Sequence, residues 1–282
     1  VEWSPAPRAD FTAVVVGIGP GDPDLVTLQA LEALGTDDVV VVFDKGERVD
    51  ELLTVRRAVL DRASRGAPPR VLALPDPERE LGGTYTAAVR SWHHARAAVL
   101  ERVLLDHVPP GARFGLPVWG DPGLYDSTLR LLDALNDRGR LRLAVEVVPG
   151  VSSLQLLAAR HGIVLHRVGG SLLVTSGRRL RAGIPPGVED VAVFLDGSCS
   201  FVELRGAGWW MFWGAYLGMP GEVLVSGPLD EVADRIVELR TALRGERGWI
   251  FDLYLLRRHE AAEPELWNGS PSVDGARGRG QE

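Results

Sequence analysis

The stretch Phe11-Thr12-Ala13-Val14-Val15-Val16-Gly17-Ile18-Gly19-Pro20-Gly21-Asp22-Pro23 governs the reading of the chain, because a β-branched run passes directly into a turn rich in glycine and proline. The run predicts a strand and the turn predicts its end. Residues 25–34 then take up helical periodicity, and the same succession of strand, turn and helix repeats downstream. Strands are expected at 39–43, 71–74, 113–119 and 143–148, and helices at 50–62, 84–107, 125–137 and 152–160. Strands that alternate with helices indicate a mostly parallel sheet with covering helices.

Beyond His161 the helical period is lost over 162–170, and a new strand signal opens at Ser171-Leu172-Leu173-Val174-Thr175. Further strands are expected at 191–195, 209–213, 222–226 and 250–256, with a helix at 229–243. Strands crowd more closely here, so the second sheet should be mixed. The expected division is an α/β domain over 11–166, a second over 170–258, and a disordered tail over 259–282 that is rich in Gly, Pro, Glu and Ser. A chain of 282 residues suits two domains better than one.

Composition excludes several classes of function. Hydrophobic residues at 45% and charged residues at 24% are the ordinary globular mixture, which rules out wholesale disorder. The apolar runs fall far short of the roughly 20 residues that span a bilayer. Residues 1–10 lack the basic-then-apolar order of a secretory signal, so the expected compartment is the cytoplasm, with no membrane partner. A formal charge of −7 and a near absence of lysine argue against nucleic acid as a partner. Cys199 is the only cysteine, so no intrachain disulfide or Cys-rich zinc site can form, and no metal site is expected.

Three strand-end loops carry the chemistry. The first, 17–23, superficially matches a dinucleotide-binding turn, but Pro20 removes an amide donor and Asp22 places negative charge where a phosphate would sit. The second is Trp119-Gly120-Asp121-Pro122-Gly123-Leu124-Tyr125-Asp126-Ser127-Thr128, at the sheet edge where ligands gather. Its aspartates can bind a hydroxyl or a cationic amine, or cap the next helix. The third is Val148-Pro149-Gly150-Val151-Ser152-Ser153, in which Ser152 reads most simply as a helix N-cap.

The order and separation of these loops resemble the tetrapyrrole (corrin and porphyrin) methylase family, with its glycine-proline loop, its Gly-Asp-Pro loop and its Pro-Gly-Val-Ser-Ser turn. The likeness extends over about 11–256, including 217–229. Phe43-Asp44-Lys45-Gly46, Phe194-Leu195-Asp196-Gly197-Ser198-Cys199 and Trp213-Gly214-Ala215-Tyr216-Leu217-Gly218 point, within that family, to action on a corrin precursor. The resemblance implies two α/β domains, the first sheet mostly parallel and the second mixed, with a ligand trough between them.

S-adenosyl-L-methionine is the implied cofactor. Its contacts would come from Pro20, from Gly120, Asp121 and Leu124, from Ser152 and Ser153, from Leu195 and Asp196, and from Leu217 and Gly218, mostly through the main chain. A small-molecule tetrapyrrole would lie beside it, and the relatives are generally homodimers. Asp44 is the implied general base, with pairing to Lys45, orientation of an arginine or capping of the turn before Gly46 as its structural alternatives. The substrate's carboxylates call for arginine, whose planar fork binds them in a bidentate way. Arg56, Arg57, Arg79, Arg90 and Arg96 are candidates, and Arg79 is preferred because Asp76-Pro77-Glu78-Arg79 follows the third strand. Trp209-Trp210-Met211-Phe212-Trp213 reads as a buried strand, with a dimer interface as the alternative. The rival functions are methylation at another tetrapyrrole position and a non-catalytic tetrapyrrole-binding protein.

Overall fold

The computed structural model describes residues 9–44, 50–64, 69–78 and 85–258. Arg79, Lys45 and the expected tail at 259–282 lie outside the described residues. Strands β1 (Phe11–Gly17), β2 (Val39–Asp44), β3 (Arg70–Pro75), β4 (Arg113–Val118) and β5 (Leu143–Val148) form one sheet in the order β3-β2-β4-β1-β5. Every pairing in it is parallel. Helices α1 (Leu28–Thr36) and α2 (Asp50–Ala63) cover one face, where Val14 and Val16 pack with Ala30, Leu34, Val59 and Leu60. Helices α3 (Tyr85–His107) and α4 (Thr128–Asn136) cover the other, where Phe11, Ala13 and Val15 meet Leu100, Leu104, Leu131 and Leu135. A strand buried on both faces has no solvent side, which is why β1 is apolar throughout its middle.

The chain therefore leaves β1 toward one face and its neighbour β4 toward the opposite face. The divergence opens a crevice at their carboxyl ends, the usual ligand position in such sheets.

The second sheet contains β6 (Leu172–Ser176), β7 (Asp190–Phe194), β8 (Trp209–Ala215), β9 (Val223–Pro228) and β10 (Asp252–Arg258) in the order β6-β7-β10-β8-β9. Only β6 and β7 pair in parallel, so this sheet is mixed. Helix α5 (Ser153–His161) sets Leu154, Leu156 and Leu157 against Phe194, Phe212, Leu253 and Leu255 of this sheet. After the short α6 (Gly177–Leu180), α7 (Leu229–Arg247) covers the other face through Leu229, Ala233 and Ile236. Trp209, Met211 and Trp213 are buried in β8, between β10 and β9, so the aromatic cluster is an inner strand of one protomer.

Two helix starts differ from the periodic pattern. Helix α4 begins at Thr128 and not at 125, because Tyr125 takes φ 54° and the Asp126 carboxylate accepts from the Thr128 amide at 2.6 Å. Helix α1 begins at Leu28 because Thr27 caps the Ala30 amide at 3.1 Å, while Asp22 caps a separate 3-10 turn at Pro23–Leu25. Caps and left-handed residues end a helix without altering apolar spacing.

Asp37, at the end of the sheet remote from the crevice, is a buried charge at a cost. Its side chain is fully buried, neither carboxylate oxygen makes a hydrogen bond, and Arg113 lies 3.7 Å away but is held at 2.9 Å by both oxygens of Glu146. Burial pushes its pKa up to about 7, against the pull of Arg113. The folded state thus holds the proton more tightly than the unfolded chain. The cost is absent below about pH 4, grows as the pH rises, and is complete above about pH 7. Asp37→Asn is expected to stabilise the protein by about 2–4 kcal/mol at pH 8 and by almost nothing at pH 4, read by urea denaturation. A gain that does not change with pH would refute this account.

Candidate active site

Four glycines hold the strand-end loops of the first sheet together. Gly120 donates its amide to the Gly19 carbonyl at 2.8 Å and accepts from the Gly19 amide at 3.3 Å, with φ values of 71° and 76° that favour glycine. A Cβ on Gly17 would stand 2.6 Å from the Gly150 nitrogen, and a Cβ on Gly150 would stand 2.8 Å from the Gly17 carbonyl carbon. The three loops are therefore in main-chain contact. Asp121 locks them, accepting from the Gly150 amide at 2.9 Å and from the Gly123 amide at 2.8 Å.

With its carboxylate so engaged, Asp121 offers a ligand mainly its backbone. The same holds at Ser152, whose Oγ accepts from the Gln155 amide at 3.3 Å while its own amide donates to Gln155 Oε1 at 2.7 Å. That is a capping box, the structural alternative read from the sequence.

The opposing wall comes from the second sheet. Leu195, at the end of β7, is 70% exposed and holds φ 53°, a conformation that costs about 1 kcal/mol or more for a residue with a side chain. Its neighbour Asp196 is buried, accepting from Ser200 Oγ at 2.9 Å, from the Ser200 amide at 2.7 Å and from Tyr254 Oη at 2.6 Å. Its carboxylate is consumed in holding the loop. The Tyr125 ring lies 4.7 Å from that of Phe194, joining the second loop to this wall. A Cβ on Gly21 would meet Met219 Cγ at 2.6 Å, and one on Gly218 would meet the Asp22 nitrogen at 3.1 Å, so the first loop abuts residues 217–219.

Gly120 itself is open: an added Cβ would meet only the Ser152 Cα, at 3.9 Å. Pro20 and Leu217 are buried, while Gly120, Ser153, Leu195 and Gly218 bring main-chain groups around this ground. The residues fit a small ligand bound chiefly through the backbone.

Beside these loops, the carboxyl ends of β2 and β4 floor a cavity of about 280 Å³. Asp44, Arg56, Trp92, Arg96, Trp119, Tyr125 and Asp126 line it, and Phe251 reaches it from the second half of the chain. Arg96 sits 3.9 Å over the Phe43 ring and 4.5 Å over Trp92, and pairs with Asp76 at 3.0 Å with both side chains nearly buried. Burial lowers the Arg96 pKa against the opposing pull of Asp76 and Asp126. Burial lowers that of Arg56 as well, opposed by Asp44.

Of the arginines singled out by the sequence, Arg56 and Arg96 line this cavity, Arg57 and Arg90 are exposed, and Arg79 lies outside the described residues. Tyr125, Asp126 and Phe251 were not foreseen as lining residues. The first two lie within the quoted second loop; Phe251 is placed only by the approach of the second sheet. Trp92 and Arg96 lie four residues apart on α3, a spacing that puts both on one face of the helix. Cys199 carries a thiol pushed up by burial, against the influence of Arg240 at 3.6 Å.

Residues 12–233 match the family model of the Tetrapyrrole (Corrin/Porphyrin) Methylases, and the chain belongs to that family. Within it, the chain is 39% identical to a precorrin-6A synthase [deacetylating] of Sinorhizobium sp over 246 residues, covering 87% of this chain and 94% of that one. It resembles a solved cobalamin synthesis related protein (CobF) from Corynebacterium diphtheriae with a TM-score of 0.77 and 34% identity, over 89% of this chain and 100% of the other. The fold is shared too with a uroporphyrin-III C-methyl transferase from Thermus thermophilus complexed with S-adenyl homocysteine, at a TM-score of 0.55 and 24% identity over 87% and 97% of the two chains.

Proposed function

We propose that this chain is an S-adenosylmethionine-dependent C-methyltransferase of cobalamin biosynthesis that methylates precorrin-5 at C1 and releases acetate to give precorrin-6A. The observation that carries this reading is the arrangement of three glycine-tied loops facing Leu195 and 217–219, beside a cavity lined by Asp44 and two partly buried arginines. The 39% identity to a precorrin-6A synthase supports it.

When bound, S-adenosylmethionine supplies an electrophilic methyl group for in-line transfer. Pro20, Gly120, Asp121, Leu124, Ser152 and Ser153 would hold it from one side, and Leu195, Asp196, Leu217 and Gly218 from the other, with main-chain groups at Gly120, Asp121, Ser152 and Asp196. Such rigid loops fix distance and angle, and orientation can lower a barrier by up to about 7–11 kcal/mol. Trp119, Tyr125 and Phe251 would exclude water from the methyl-transfer ground and offer apolar surface to the macrocycle edge. Asp44 would take a proton from the water that attacks the acetyl carbonyl, which accounts for a carboxylate at this end of β2. Arg79 remains a proposed contact to a substrate carboxylate.

The domain division proposed is 11–166 and 170–258. We place the protein in the cytoplasm as a homodimer. Among the described residues no helix is long and apolar enough to cross a membrane. The exposed Val145 and Val147 on edge strand β5 support self-association.

Isothermal titration with S-adenosylhomocysteine, with NAD as control, followed by a precorrin-5 assay for methylation and acetate, tests the function. Micromolar binding of the homocysteine compound alone and turnover to a deacetylated, methylated product are expected. Binding without turnover would favour the non-catalytic reading.

A further inference from the structure

Three of the candidate arginines have other surroundings. Arg57 and Arg90 face solvent, and Arg96 pairs with Asp76 and lies over the Phe43 and Trp92 rings. Arg56 lines the cavity too. Its Nε, like that of Arg96, is buried without a hydrogen bond, but among the described residues no salt bridge holds it as Asp76 holds Arg96. A buried guanidinium nitrogen left in that state costs free energy that a well-packed fold normally avoids.

The wall opposite Arg56 narrows what can satisfy it. The cavity, at about 280 Å³, matches an edge or a side arm of a tetrapyrrole, or a small molecule. Asp44 lies close enough to influence Arg56, which makes the place amphoteric, and a neutral ligand would gain little from a buried cation. A planar anion with two acceptor oxygens matches the guanidinium fork.

We propose that Arg56 forms a carboxylate subsite in the floor of this cavity, filled either by a carboxylate arm of the tetrapyrrole or by the acetate released from it. This rests on the function proposed above, and it adds a carboxylate contact on α2 to the one proposed at Arg79. Arg56 is thereby a specificity-determining residue that contacts substrate or product. Sites tuned in this way trade stability for function.

The test uses wild-type protein and the variants Arg56→Gln and Arg56→Lys, with S-adenosylhomocysteine affinity and thermal melting measured for all three. Fluorescence of the cavity tryptophans Trp92 and Trp119 then reports titrations with uroporphyrin I, with its octamethyl ester, and with sodium acetate. Wild type is expected to bind uroporphyrin and not the ester, Arg56→Gln to lose at least about tenfold in affinity, and Arg56→Lys to fall between them. Arg56→Gln should bind the homocysteine compound as wild type does and melt no lower.

Acetate that competes with uroporphyrin in wild type but not in Arg56→Gln assigns the subsite to the released product; loss of uroporphyrin binding without any acetate effect assigns it to a substrate arm. Equal uroporphyrin binding by wild type and Arg56→Gln, with acetate inert in both, overturns the proposal, as does a lowered melting temperature with unchanged carboxylate binding. Failure of wild type to bind S-adenosylhomocysteine strikes the functional reading instead, and the acetate arm still decides Arg56.

Discussion

Gly150→Ala is expected to weaken S-adenosylhomocysteine binding by roughly 100-fold and to destabilise the fold by about 2–4 kcal/mol. The added methyl would fall on the Gly120 carbonyl oxygen and stand 2.8 Å from the Gly17 carbonyl carbon. Both are main-chain atoms at strand ends, so no rotamer change can relieve the contact. The loops must separate, and with them the Asp121 bridge at 2.9 Å and the Gly19–Gly120 pair. Gly245→Ala in helix α7 provides the contrast, because a Cβ there meets nothing within 4 Å and alanine favours a helix by about 0.5–1 kcal/mol. Calorimetric titration and melting of both variants check the prediction. Near-normal ligand affinity in Gly150→Ala would mean that the close approach of the loops is not what forms the binding ground.

Asp44→Asn is expected to slow acetate release by about 10²- to 10⁴-fold, the range usual for loss of a positioned general base. Methyl transfer needs no base of that kind, so the expected outcome is accumulation of a methylated product that keeps its acetyl group, visible by mass spectrometry. Affinity for S-adenosylhomocysteine should change by less than about twofold, since Asp44 lines the cavity beside the three loops and is not part of them. An equal fall in methylation and acetate release would assign Asp44 to substrate positioning. Unchanged release would remove it from the chemistry.

Much of this architecture is legible in the residue order. The runs at 11–17 and 143–148 coincide with β1 and β5, and the alternation of strands with helices predicts the parallel sheet that was found. Element ends were less legible. Tyr125 at φ 54° delays α4, and its ring meets that of Phe194, a residue far along the chain. The site divides in the same way. Its glycines and prolines could be read as loops that approach something closely, while the finding that Gly17, Gly120 and Gly150 approach one another required the fold.

What the sequence by itself determined is the set of local facts: strand and helix types, the loops between them, the acidic balance and the family motifs. These follow from backbone propensity and periodicity, which act over a few residues. Which polar groups are already spent was decided only by tertiary structure. Asp121 ties its loop to the one at Gly150 and Asp196 binds Ser200 and Tyr254, while Arg56 is left with a buried nitrogen unsatisfied. The reason is that a hydrogen-bond partner is a matter of distance in space, and residues 29 positions apart, such as Asp121 and Gly150, become neighbours only when parallel strands set their ends side by side.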